Sequence, residues 1–186
     1  YFLVPYLKEF HKKFPSVPIK VTNATSLGCV DLLEQGKVDI AVTNCPNVQL
    51  NQSYIRKMVL DFTDVFIANP SYFNLKQQEL SFRDLQNISA DNKSTTSEFM
   101  HNLFLSHQLE LIPEIELSSN DLLIDLARIG LGIACIPDYC LKHESKDLFI
   151  LKTLEPLPRR QLAVSVNPNL PILTSTEEFL NLLPTL

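Results

Sequence analysis

The chain has 186 residues, of which 45% are hydrophobic and 20% charged, and a net charge of −5. That composition can fill a core for one large domain or two small ones. It holds no apolar run near the roughly 20 residues that span a bilayer and no dense Lys/Arg stripe for a nucleic-acid backbone, and Tyr1-Phe2-Leu3-Val4-Pro5 lacks the charged start of an export signal.

Leu3, Leu7, Phe10 and Phe14 recur at i+3 and i+4 spacing with Lys8, Glu9, Lys12 and Lys13 opposite them, which predicts an amphipathic helix ending near Pro15. Val17 to Val21 reads as a strand. Thr22-Asn23-Ala24-Thr25-Ser26 supplies N-cap chemistry for a second helix carrying Val30 and Leu33. Gly36 closes that helix, and Val38 to Thr43 follows as a strand of the kind buried on both faces of a parallel sheet. Tyr54 to Ala68 is extended, and Asn69-Pro70 breaks it.

Past that break, polar Ser89 to Ser97 leads into a helix with Phe99, Leu103 and Phe104, followed by a strand at Ile115-Glu116-Leu117. Ser118-Ser119-Asn120 caps a helix whose apolar face is Leu122, Leu123, Leu126 and Ile129. Gly130 ends it, and Ile133 to Ile136 is the next buried strand. Gln161 to Val166 alternates as a strand, Asn167-Pro168 stops it, and the last helix carries Phe179, Leu180 and Leu183. The chain has only four glycines, and three of them serve these two helix-stop-strand joints. Their repetition argues for two α/β lobes.

The residues with chemical potential favour binding over catalysis. Cys29, Cys45, Cys135 and Cys140 form no CxxC pair and read as buried free thiols in a reducing compartment. His11, His101, His107 and His143 lack acidic partners at ligand spacing, so no metal site is expected. Asp121/Asp125 and Glu177/Glu178 read as solvated helix faces, and Arg159-Arg160 as a solvated loop before a strand. Gly130-Leu131-Gly132 follows a helix and precedes a strand, the reverse of a dinucleotide fingerprint, so no cofactor is expected. No nucleophile, base or metal cluster marks an enzyme.

Three motifs in order carry a family resemblance: Pro5 to Phe10 to Phe14-Pro15, then Glu34-Gln35-Gly36-Lys37-Val38-Asp39-Ile40-Ala41, then Gly130-Leu131-Gly132-Ile133-Ala134-Cys135-Ile136-Pro137. Together they resemble the effector-binding domain of LysR-type transcriptional regulators, over nearly the whole chain. The resemblance implies an α/β fold like the type 2 periplasmic binding proteins, with two Rossmann-like lobes joined by two crossover strands and a small effector in the cleft between them. Lobe I would comprise residues 1–68 and 167–186, and lobe II residues 69–166. The crossings would hinge at Ile67, Ala68, Asn69, Ala163, Val164 and Ser165.

In the family, DNA is bound by a separate N-terminal winged helix-turn-helix absent from this chain, so DNA and RNA polymerase would be partners of the full-length protein only. The family also begins this domain with a strand and a Ser/Thr-bearing loop ahead of the point where this chain starts. Sensor domains pair side by side, which implies a cytoplasmic homodimer or tetramer using the Pro5 to Phe14 helix.

Carried over by position, the effector site comprises Thr25 and Ser26, then Ser94, Thr95 and Thr96, then Ser119 and Asn120. Each group stands at a predicted helix start, where free N–H groups and the positive dipole end favour a carboxylate or other small anion. Plain helix capping is the alternative reading of the same residues. The alternative function is a solute-binding component of a transporter with the same fold.

Overall fold

The computed structural model describes residues 1–86, 89–92, 95–112, 116–117, 119–141 and 147–186. In chain order its regular elements are helix α1 (Val4–Lys13), α2 (Ser26–Glu34), strand β1 (Ala41–Cys45), β2 (Ile55–Ala68), β3 (Glu79–Leu80), α3 (Phe82–Leu85), β4 (Ser89–Asn92), α4 (Thr95–Ser106), β5 (Glu116–Leu117), α5 (Asn120–Arg128), β6 (Ile133–Pro137), β7 (Phe149–Ile150), β8 (Lys152–Thr153), β9 (Arg159–Ser165) and α6 (Thr174–Leu182).

The two glycine joints form for the expected reason. Gly36 and Gly130 adopt φ of +64° and +78°, the left-handed region that a Cβ disfavours. After α2, the Gly36 N–H bonds the Leu33 carbonyl and the Lys37 N–H the Leu32 carbonyl; after α5, Gly130 bonds Ala127 and Leu131 bonds Leu126. Both are Schellman caps, which satisfy carbonyls that a helix end leaves free.

The chain divides into two compact units, Tyr1–Asp61 with Gln161–Leu186, and Phe62–Arg160. In the discontinuous unit, β1 pairs antiparallel with β9, Ala41 opposite Ser165 and Thr43 opposite Ala163. Val30 of α2, Leu50 and Ala163 are buried together, with Tyr54, Ile55 and Met58 packed on them. Helix α1 lies against α6, where the Phe10 and Phe179 rings meet edge to face at 5.3 Å and Lys13 reaches Glu178 at 3.2 Å. The β1 pairing corrects the expectation of a parallel strand after Gly36. The expected strand at Val17 to Val21 is absent: these residues lie in no ladder, and Val21 is among the exposed large hydrophobics. Apolar content alone does not make a strand where no neighbour takes its backbone hydrogen bonds.

The contiguous unit is doubly wound. Strand β4 is parallel to β6 on one side (Ser89 opposite Ile133) and to β5 on the other (Asp91 opposite Glu116), while β2 runs antiparallel to β6 with Asp64 opposite Pro137. Side chains alternate across the sheet. Phe66, Ala68, Ile133 and Cys135 pack with Met100 and Phe104 of α4. Ile67, Ala134 and Ile136 pack with Leu123, Ile124 and Ala127 of α5. The two helices therefore cover opposite faces.

The passages between the units fall at Asp61–Phe62 in β2 and Arg160–Gln161 in β9, earlier in both strands than the boundaries the sequence suggests. Ile67 and Ala68 are held in ladders with β6 and β7, and Ala163, Val164 and Ser165 in the ladder with β1. Asn69 follows β2 and turns the chain, accepting the Ser71 N–H on its carbonyl oxygen and donating its amide to the Arg128 carbonyl. Each of these six residues is thus tied down within one unit.

Candidate functional site

The connections around β4 create a switch point. From β4 the chain crosses through α4 to β5 on one side, then returns through α5 to β6 on the other. Both helices therefore start beyond the carboxyl ends of parallel strands, where an open α/β sheet with such a reversal leaves a crevice for ligands.

Thr96, in the first turn of α4, is buried, and its hydroxyl accepts a hydrogen bond from Arg160 Nη1 at 3.1 Å. Ser119 caps α5 by accepting the Leu122 N–H at 3.4 Å. Asn120 donates its side-chain amide to Cys140 Sγ at 3.5 Å. Ser94 lies outside the described residues, and of Thr95 only the backbone is described, as the first residue of α4. In the discontinuous unit, Thr25 caps α2 by accepting the Gly28 N–H at 3.2 Å, and Ser26 accepts the Asn44 N–H at 3.3 Å. Thr25 and Ser119 accept N–H groups of their own helices, as the capping reading expects, whereas Ser26 accepts from β1 instead. A hydroxyl used in this way keeps its own proton to donate, so capping and anion binding are compatible.

The same edge contains a pair of charges that the sequence reading missed. Arg160 is no solvated loop residue: it lies in β9 with its side chain 0% exposed, 2.8 Å from Asp64 Oδ2, whose side chain is 1% exposed. The guanidinium carbon sits 4.5 Å from the Phe99 ring centre and 5.3 Å from that of Phe62, close enough for cation–π attraction. Burial pushes the Asp64 carboxyl above the ordinary aspartate range, opposed by the charge and hydrogen bond of Arg160 and reinforced by nearby Asp138. Period-two alternation held the missing signal. Asp64 shares an inward phase with Phe62, Phe66 and Ala68, as Arg160 does with Leu162 and Val164. Opposite charges on two buried phases have to find each other, because an unpaired buried charge is too costly.

The thiols divide between the units. Cys135 and Cys140 are buried, whereas Cys29 and Cys45 are only half-buried, and none of the four is in a disulfide. Burial raises the Cys140 thiol to about 12 and also raises that of Cys29. Among the described residues no group of His, Cys, Asp and Glu could hold a metal ion, and no helix is long and apolar enough to cross a membrane.

A doubly wound unit with two helix starts at a switch point defines a binding fold of the α/β class. The family model described as the LysR substrate binding domain matches residues 1–185, and this chain belongs to that family. A curated relative, the malonate utilization transcriptional regulator of Klebsiella pneumoniae, is 26% identical over 154 residues, covering 80% of this chain and 49% of the relative. The chain spans about half the length of the curated relatives it matches, both of them transcriptional regulators. Among solved structures, the CcmR regulatory domain of Synechocystis PCC6803, in complex with 2-PG, is similar at a TM-score of 0.80 and 25% identity, over 97% of this chain and 88% of that one. The effector-binding domain of QuiR, in complex with shikimate, gives a TM-score of 0.75 at 17% identity, over 98% and 90%. The fold is that of the LysR regulatory domains, the periplasmic-binding-protein-like type 2 α/β fold.

Proposed function

We propose that this chain is the ligand-sensing domain of a bacterial, cytoplasmic transcriptional regulator, and that it takes up a small anionic effector. The observation that carries the reading is the reversal at β4, which brings the starts of α4 and α5, with Thr96, Ser119 and Asn120, to one edge of the sheet. Helix starts offer N–H groups and a favourable dipole to an anion, and Thr25 and Ser26 offer the same at α2. Ser94 and Thr95 join the proposed set on the family resemblance. The effector acts by binding one arrangement of the sensing domain more tightly than another, and shifts the balance only by that difference. In the whole regulator that balance controls contacts with DNA and RNA polymerase, and the sensing domains pair as a homodimer or tetramer.

The test is thermal unfolding of the chain against a panel of small organic and inorganic anions. A ligand at 100 times its dissociation constant stabilises by about 2.7 kcal/mol. A rise in melting temperature that Ser26→Ala or Thr95→Ala removes supports the reading. Turnover of a panel compound would overturn it in favour of an enzyme.

A further inference from the structure

The inner face of α4 carries Thr96, Met100 and Phe104, spaced by one turn and all buried. It lies over the inward phase of β2, where Phe66 and Ala68 meet Met100 and Phe104 in one apolar cluster. Asp64 continues that phase to the end where α4 begins, opposite Pro137 at the carboxyl end of β6. The stripe is thus apolar along its length and ionic at the end where α4 begins.

The carboxylate is only half used. Oδ2 accepts from Arg160 Nη1, while Oδ1 is buried and has no hydrogen-bond partner among the described residues. A buried acceptor left unpaired is costly, and a ligand donor that reaches it recovers the cost. Two kinds of small acid carry such a donor, hydroxy acids and amino acids. Arg160 separates them, since its fixed cation 2.8 Å from the other carboxylate oxygen repels a second cation in a poorly screened site. A neutral hydroxyl donates without that repulsion.

We propose, resting on the effector-sensing reading above, that Asp64 is a specificity-determining residue and that the effector is a hydroxy acid, its hydroxyl donating to Asp64 Oδ1 and its carboxylate held at the helix starts. A site built to bond a hydroxyl rejects the analogue that lacks it, because its own buried group is then left unpaired.

The experiment is calorimetric titration of the chain with matched triads: lactate, propionate and alanine; malate, succinate and aspartate; mandelate, phenylacetate and phenylglycine. In at least one triad the hydroxy acid binds about tenfold or more tighter than both partners. Removing one charge alone risks unfolding, so the variant is the paired Asp64→Leu with Arg160→Met, an apolar replacement of a kind often neutral or stabilising at buried ion pairs. Its fold is checked by circular dichroism and melting. In the folded variant the preference for the hydroxy acid disappears, while a carboxylate still binds. Equal binding of hydroxy and deoxy acids by the natural chain would overturn the inference and leave effector sensing intact; that is also the outcome if a resident water already satisfies Oδ1. A preference for the amino acid, or one that survives in the folded double variant, would overturn it as well. If no triad bound at all, the inference would fall, while the sensing reading would still be decided by the wider anion panel.

Discussion

Replacing Gly130 by alanine tests the joint between α5 and β6. An alanine there must hold φ of +78°, and its Cβ would stand 2.2, 2.4 and 2.7 Å from three carbons of the Tyr72 ring. The left-handed conformation costs a non-glycine residue about 1–2 kcal/mol, and the stiffer unfolded chain returns about 0.4–1 kcal/mol. About 1 kcal/mol therefore remains from the backbone. Displacing the ring adds about 1–3 kcal/mol, the usual range for overpacking, toward its lower end because Tyr72 is 64% exposed and can swing outward. We expect Gly130→Ala to lose about 2–3 kcal/mol in urea unfolding, and to lose only about 1 kcal/mol in a Tyr72→Ala background, a coupling that a double-mutant cycle isolates. Gly132→Ala is the control, since none of the described residues lies within 4 Å of its Cβ position. Equal losses with and without the Tyr72 ring would refute the steric account.

Thr43 is buried with no partner for its hydroxyl among the described residues, so Thr43→Val should raise stability by about 1 kcal/mol; a fall in the urea midpoint would show that a buried water satisfies that hydroxyl. Cys140 is buried and its thiol is raised to about 12, so alkylation at pH 8, followed by mass spectrometry, should leave it unmodified until the chain is unfolded. Asp84 accepts from the Ser81 hydroxyl and N–H, which hold its carboxyl below the ordinary aspartate value. The stability from that capping box is present above the ordinary aspartate pKa and lost as pH falls through the lower folded one. In acid titrations of the melting temperature, Ser81→Ala should flatten that slope.

Much of the fold could be read from local chemistry. Gly36 and Gly130 end their helices in the left-handed conformation, β2 covers Ile55–Ala68 where an extended Tyr54 to Ala68 was expected, and Phe179 and Leu180 are buried faces of α6. What failed depended on distant partners. Val17 to Val21 resembles a strand in composition, yet no neighbouring strand among the described residues takes its hydrogen bonds. The direction of the strand after Gly36 could not be read locally, because its antiparallel partner, β9, lies more than a hundred residues later in the chain. Capping residues such as Ser119 were legible because a cap is a contact across three residues. Arg160 and Asp64 were not, because their bond spans 96 positions and only a shared inward phase hinted at it.

The way the chain threads its two units also sets an order of assembly. Phe62–Arg160 is one unbroken stretch, whereas the other unit needs both Tyr1–Asp61 and Gln161–Leu186. During synthesis domains form as their residues emerge from the ribosome. The inserted unit, although second along the chain, has all of its residues first. Tyr1–Asp61 must wait, with β1 lacking β9 and Phe10 lacking Phe179, until Gln161–Leu186 has been made. A chain cut short before Gln161 would therefore lose Tyr1–Asp61 as a folded body while keeping Phe62–Arg160.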